Sequence, residues 1–275
     1  MNLNSIDSKI SNSTSTANNK INNITAQTSV RLLLTNKCSA RCHYCHNEGQ
    51  AIGKEFLPLN RIKEFFDSLD SKRIVINEII LSGGEPTLHP KVADIAEFCK
   101  ERKYFVSIDT HGGHPHLLEK AMPYLDEIKF HIDSFDTKKQ MESMGIAIDK
   151  CFKSMDIAKK FHRTLNVIIN HPLRGLDETT HFINKTREME IDCKIIEIFG
   201  EGILAPLLAD IDFKNFGYIQ QREDCWLHSN GKHRLFTKRC GNKYNSPEHY
   251  FVDVIGVRHY LEYPSYSHYW ESMKI

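Results

Sequence analysis

Cys38, Cys42 and Cys45 place three thiols in one short polar segment, KCSARCHYCHNEG (37–49), at spacings of four and three residues. Three is the informative count, because a disulfide takes two sulfurs and a structural zinc site takes four ligands. A cubane 4Fe-4S cluster has four irons, so a chain supplying three thiolates leaves one iron open to an exogenous ligand. The short intervals let one stretch of backbone wrap one face of such a cluster, with Lys37 and Arg41 beside it to offset negative charge. A zinc reading would need a fourth ligand, His43 or His46 being nearest, and the chain has no second C-x2-C to pair with the first.

A second group of polar residues falls at the ends of apolar runs. Ser82-Gly83-Gly84-Glu85-Pro86 follows EIIL, and its glycines let the backbone approach a ligand that a side chain would keep away. Its carbonyls and the Glu85 carboxylate can accept hydrogen bonds from an ammonium group, although a GG pair before a helix is also an ordinary turn. Thr110-His111-Gly112 ends a further run. His131 and Asp133 end the next, and strand alternation points them to one side, as ligand contacts or as a hydrogen-bonded core pair. Asn166 and Asn170 flank VII, where an amide suits a ribose hydroxyl or caps the strand. Tyr44 offers a flat aromatic face beside Cys45. His111, His114 and His116 lie along a Pro-containing loop with no fixed face and are expected to be solvated.

These residues need a frame, and the chain supplies one by alternation. Strand candidates are VRLLLT (30–35), EIILS (78–82), YFVSID (104–109), EIKFHI (127–132), LNVIIN (165–170) and KIIEIF (194–199). Helical patterns fall near 58–69, 90–102, 114–121, 149–162 and 177–189, several opened by Pro or Asp. Repeated strand–helix units predict a parallel sheet with right-handed crossovers, either an open doubly wound sheet or an incomplete barrel. In both, chemistry belongs at the C-terminal strand ends, where TNKCSARC, SGGEP, DTHGGH, DSFD, NHPLRG and GEG fall. Residues 1–27 are too rich in Ser, Asn and Thr to offset their own ordering entropy and are read as a disordered tail. The domain runs over 28–202, and 203–275 is read as an extension covering the barrel mouth, with a β-hairpin at 251–261 turning at Ile255-Gly256.

Composition narrows the class. Lys+Arg total 36 and Asp+Glu 35, a formal net charge of +1, which gives no case for a nucleic-acid partner. There is no apolar run long enough to span a membrane and no secretion signal, so the chain is read as soluble and cytoplasmic, with no membrane partner. In a reducing compartment its 8 cysteines are ligands, catalytic groups or packing residues rather than a disulfide framework. Cys99, Cys151 and Cys193 have apolar neighbours and are read as packing residues.

C-x3-C-x2-C with an aromatic before the last Cys, after a first strand and followed by GGEP after a second, resembles the radical S-adenosylmethionine (radical SAM) superfamily. From Val30 to Gly202, the stretches TNKCSARCHYCHNEG, LSGGEPTLHP, HIDSFD and IIEIFGEG are similar to the GTP 3',8-cyclase branch of molybdenum cofactor biosynthesis. The resemblance implies a partial (β/α)6 TIM-like barrel with Cys38, Cys42 and Cys45 ligating a 4Fe-4S cluster. S-adenosyl-L-methionine would chelate the open iron and be cleaved to methionine and a 5'-deoxyadenosyl radical, which abstracts hydrogen from a small organic or nucleotide substrate. It places Gly83, Gly84, Glu85 and Pro86 at the methionine end, Tyr44 at the adenine, and Thr110, His131 and Asp133 around the same cofactor, to which the amide of Asn166 is added as a ribose contact on its own chemistry. A low-potential flavodoxin or ferredoxin would supply the electron.

The chain departs from that branch in having only Cys225 and Cys240 where the cyclases bind a second cluster, so a single cluster is expected. YCHN is also similar to glycyl-radical-enzyme activating enzymes, while peptide-modifying relatives carry a cysteine-rich extension that is largely missing here. The non-enzyme alternative is a zinc-stabilised binding module.

Overall fold

The computed structural model describes residues 28–42, 44–45, 55–71, 76–161, 165–198, 208–238, 249–252 and 257–259. The tail expected over 1–27, the GEG segment, Cys240 and the hairpin turn lie outside the described residues.

Six strands alternate with helices. They are β1 (Thr28–Leu33), β2 (Ile76–Ser82), β3 (Phe105–Thr110), β4 (Glu127–His131), β5 (Asn166–Pro172) and β6 (Asp192–Ile196). Between them run α1 (Leu59–Ser71), α2 (Val92–Glu101), α3 (Pro115–Ala121), α4 (Thr137–Met144), α5 (Ile148–Ala158) and α6 (Leu176–Glu188). Every pairing from β1 to β6 is parallel and joins consecutive strands. That sequential order excludes a doubly wound sheet, whose strand order must reverse at its centre. With right-handed crossovers it puts all the helices on one face, and the sheet curls into a partial barrel.

The two faces of the strands differ in chemistry. Val30, Leu32, Ile79, Leu81, Val106, Ile108, Ile128, Phe130, Ile169 and Ile195 are all 0% exposed and join the core with the helices. Each such side chain contributes about 1.5–3 kcal/mol of transfer free energy. The alternate positions hold Arg31, Glu78, Ser107, Asp109 and Lys129, which close on one another. Arg31 reaches Asp109 at 2.6 Å and Lys129 reaches Glu78 at 3.0 Å and Glu127 at 3.2 Å. This alternation gives the barrel a polar lumen inside an apolar jacket.

The sheet does not stop at six strands. β7 (Tyr218–Arg222), β8 (Cys225–His228) and β9 (Arg234–Lys238) form an antiparallel meander whose β9 runs parallel to β6. β10 (His249–Val252) pairs parallel with β1 and antiparallel with β11 (Val257–His259). The described strands of the extension therefore lengthen the sheet at both edges, to eleven strands. Among the described residues no helix is long and apolar enough to cross a membrane.

α4 has no counterpart in the sequence reading, because DTKKQMESM has no clear apolar period. Local chemistry makes it instead: Asp136 caps its start by accepting from the Lys139 N–H at 2.9 Å, and Gly145 ends it at φ +69.

Candidate functional site

The loop after β1 and the turn after β2 are stitched into one body at the C-terminal rim. The Gly84 N–H donates to the Thr35 carbonyl at 2.7 Å and the Glu85 N–H to the Lys37 carbonyl at 2.8 Å. On the far side of the loop the Arg41 N–H donates to the Met144 carbonyl at 2.8 Å. The close approach depends on Gly83, whose φ is +128 and whose Cα faces the Thr35 backbone.

Cys38, Cys42 and Cys45 are half-buried and free of disulfides. Burial pushes the Cys38 thiol up to about 12 and the Cys42 thiol up to about 11, and the neighbouring cysteines add to both. A bound cation reverses that balance, because metal ligation requires and stabilises thiolates. The Ala40 N–H donates to Cys38 Sγ at 3.3 Å, the type of bond that supports a cluster sulfur. Three soft sulfur donors with an amide aimed at one of them fit an iron–sulfur cluster. Among the described residues no three or more His, Cys, Asp or Glu gather around a single metal-ion position. His43 and His46, the fourth ligands a zinc site would call on, lie outside the described residues.

Glu85 is 0% exposed, and its carboxylate is engaged within the fold. Oε1 accepts from the Thr87 N–H at 3.1 Å, the Thr87 hydroxyl at 2.6 Å and the Thr110 hydroxyl at 2.7 Å. Oε2 accepts from the His111 N–H at 3.0 Å and lies 3.2 Å from His111 Nε2. Burial would raise this carboxyl, but the His111 imidazole and these donors together hold it below the ordinary glutamate range. Glu85 thus ties β2 to β3 and caps the short helical turn at Pro86–Leu88, in which Pro86 is the first residue. The Gly83 and Gly84 carbonyls accept no hydrogen bond among the described residues and are the free acceptors of the turn.

His111 differs from the solvated histidine expected of it. It is 5% exposed, accepts from the Gly113 N–H at Nδ1 (2.9 Å) and shares Ser39 Oγ with His114, at 3.1 Å and 2.8 Å. Ser39 lies between the first two cysteines, so the end of β3 also braces the cysteine loop.

On the other side of the loop, the Tyr44 hydroxyl lies 3.0 Å from His131 Nε2. Burial pushes His131 down to about 4, leaving a neutral imidazole at pH 7. Asp133 is 4% exposed and receives a two-pronged contact from Arg174, with Nη2 at 3.0 Å from both carboxylate oxygens. The Arg174 guanidinium also sits 5.0 Å from the centre of the Tyr44 ring. Arg174 belongs to the NHPLRG loop after β5 and was not singled out from the sequence. Its signal was a lone basic residue in a rim loop. Replacing Arg174 by Ala strands the buried Asp133 charge, and a loss of about 2–3 kcal/mol in urea unfolding is expected. An Asp133→Asn, Arg174→Ala double variant should recover part of that loss.

The structure brings Tyr44, Gly83, Gly84, Glu85, Pro86, Thr110, His131 and Asp133 to the rim that carries the cysteines. It sets Asn166 apart. That residue is exposed and opens β5 opposite Glu127, at the N-terminal end of the barrel, so it is corrected as a site candidate. Asn170, four residues on, is the buried amide near the rim. Cys225 lies in β8, and His228 and His233 bond to Arg187 (3.1 Å) and Tyr218 (2.7 Å).

A family model described as "Radical SAM superfamily" matches residues 32–185. The "GTP 3',8-cyclase" of Limosilactobacillus fermentum is 28% identical over 187 residues, covering 63% of this chain and 54% of that protein. "Molybdenum cofactor biosynthesis protein moc-5" of Caenorhabditis elegans is 26% identical over 214 residues, covering 71% and 33%. A Methanocaldococcus jannaschii protein named for glycyl-radical enzyme activation is 33% identical over 134 residues, covering 45% and 53%. The chain spans about half the length, or less, of these relatives. Among solved structures, Streptococcus suis SuiB bound to S-adenosylmethionine superposes with a TM-score of 0.61 at 16% identity, covering 82% of this chain and 59% of that one. That likeness speaks for the fold.

Proposed function

This chain belongs to the radical SAM superfamily, and from that premise we propose that it cleaves S-adenosylmethionine reductively and uses the product radical to abstract hydrogen from a small organic or nucleotide substrate. It is a radical SAM enzyme, with a 4Fe-4S cluster and S-adenosylmethionine as its cofactors. The observation that supports this assignment of roles most strongly is the stitched pair of loops, which ties the segment leading into the three cysteines to the Gly83-Gly84 turn.

Cys38, Cys42 and Cys45 would hold the cluster, and the Gly83 and Gly84 carbonyls would take the methionine ammonium group. When bound, the cluster supplies the electron that breaks the sulfonium C–S bond. Glu85 and Thr110 act on the frame: they fix the turn so that its carbonyls face the ligand. Tyr44, braced by His131 and Arg174, offers its ring to the nucleoside, and Asp133 anchors Arg174. The barrel wall would hold substrate and cofactor in a fixed relation, so that a reactive radical meets one chosen hydrogen. A low-potential flavodoxin or ferredoxin would deliver the electron.

Anaerobically reconstituted protein given dithionite and S-adenosylmethionine should release 5'-deoxyadenosine and methionine. A brown, cluster-loaded preparation that releases neither would reject the reading. The relative named for glycyl-radical enzyme activation and the shared YCHN support a second reading, in which the hydrogen comes from a protein partner. A glycyl radical signal on a co-purified protein would favour it.

A further inference from the structure

The cysteine loop, the GG turn, Thr110 and the His131–Asp133 segment belong to the β1–β4 half of the barrel, and Arg174 reaches them from the loop after β5, while the lumen face of β5 and β6 has no role in that half. Strand register continues the polar row across that half: His131 pairs with Asn170, and Asn170 with Lys194. The alternate residues of these strands face the helices. His171 stacks on Phe182 of α6 with ring centroids 3.9 Å apart, and Cys193 and Ile195 are buried in the core. Asn170 and Lys194 therefore face the lumen.

Both are unmatched there. Asn170 is 8% exposed, and among the described residues its buried Oδ1 has no hydrogen-bond partner. Lys194 has no ion-pair or hydrogen-bond partner among the described residues, whereas Arg31 and Lys129 are paired with Asp109, Glu78 and Glu127. A buried acceptor and a half-buried cation, side by side and both unanswered, describe the complement of a ligand.

We propose that Asn170 and Lys194 form a substrate subsite, and that the substrate carries an anionic group, a carboxylate or a phosphate, that binds Lys194, with a neighbouring O–H or N–H donating to Asn170 Oδ1. The subsite rests on the proposed function, since it gives the abstracted hydrogen a fixed place opposite the cofactor half. Burial and the Lys238 and Lys129 ammonium groups push Lys194 down to about 8, against the pull of Asp109 and Glu127, so it remains largely charged at pH 7. An arriving anion would relieve that repulsion.

The test follows labelling of Lys194 by trinitrobenzenesulfonate, read by peptide mass spectrometry on reconstituted protein saturated with S-adenosylmethionine. Inorganic phosphate, acetate and sodium chloride are compared at one ionic strength. Phosphate or acetate, but not chloride, should slow labelling about tenfold, and whichever does so identifies the anion class. By phosphorus or carbon NMR titration with that anion, Lys194→Gln should weaken binding about tenfold while Lys194→Arg retains it. Equal labelling in all three salts, or unchanged binding by Lys194→Gln, would overturn the subsite. Protection by S-adenosylmethionine alone would also overturn it, by placing Lys194 in the nucleoside half. Release of 5'-deoxyadenosine by the same preparation without added anion reports separately on the underlying function.

Discussion

Cys42→Ala is expected to abolish 5'-deoxyadenosine formation and to leave a protein that cannot retain a four-iron cluster through desalting. Two thiolates do not hold a cube whose fourth corner is already open, so the effect is loss rather than weakening. The variant should still fold. Cys42 is half-buried in a loop, and the core under it is made by β1, β2 and their helices. Matched circular dichroism and unfolding midpoints would separate ligand loss from misfolding. Turnover at the wild-type rate would remove Cys42 from the ligand set.

Gly83→Ala is expected to be nearly as damaging by a different route. A Cβ at Gly83 would lie 2.4 Å from the Thr35 carbonyl oxygen and 3.1 Å from the Thr35 nitrogen, both backbone atoms that cannot swing aside. The residue also sits at φ +128, a region that L side chains rarely adopt. Strain and clash together should cost about 4 kcal/mol or more. Because Thr35 belongs to the loop that leads into Cys38, relief would come by prising the cysteine loop from the GG turn. Cluster content after reconstitution should therefore fall together with stability. Gly175→Ala is the control: nothing lies within 4 Å of its added Cβ, its φ is −92, and a change within about 0.5 kcal/mol is expected. Equal effects at the two glycines would argue against the stitched-loop geometry.

How much of this was legible in the sequence followed the range of the interactions involved. The cysteine spacing and the GG turn are local patterns, and five of the six strands appear within about two residues of their apolar runs. The sixth, KIIEIF, begins two residues early at Asp192 and ends at Ile196. Barrel against doubly wound sheet turned on pairing order, to which periodicity is blind. Glu85 reads in sequence as a ligand acceptor, yet its partners Thr110 and His111 lie 25 and 26 residues away, and only the fold reveals that they occupy it. Asn166 and Asn170 look equivalent in LNVIIN, but strand polarity sends one to each end of the barrel. Arg174 and Lys194 were silent for a related reason, since a charge becomes informative only once the fold shows which partners it has.

On the proposed reading Cys38, Cys42 and Cys45 hold a four-iron cube with one corner reserved for S-adenosylmethionine. Mössbauer spectroscopy of protein reconstituted with iron-57, recorded before and after S-adenosylmethionine is added, tests it most directly. The expected result is a 4Fe-4S spectrum in which about a quarter of the iron changes coordination on addition. A spectrum that S-adenosylmethionine leaves unchanged, or a colourless protein holding zinc in place of iron, would contradict it.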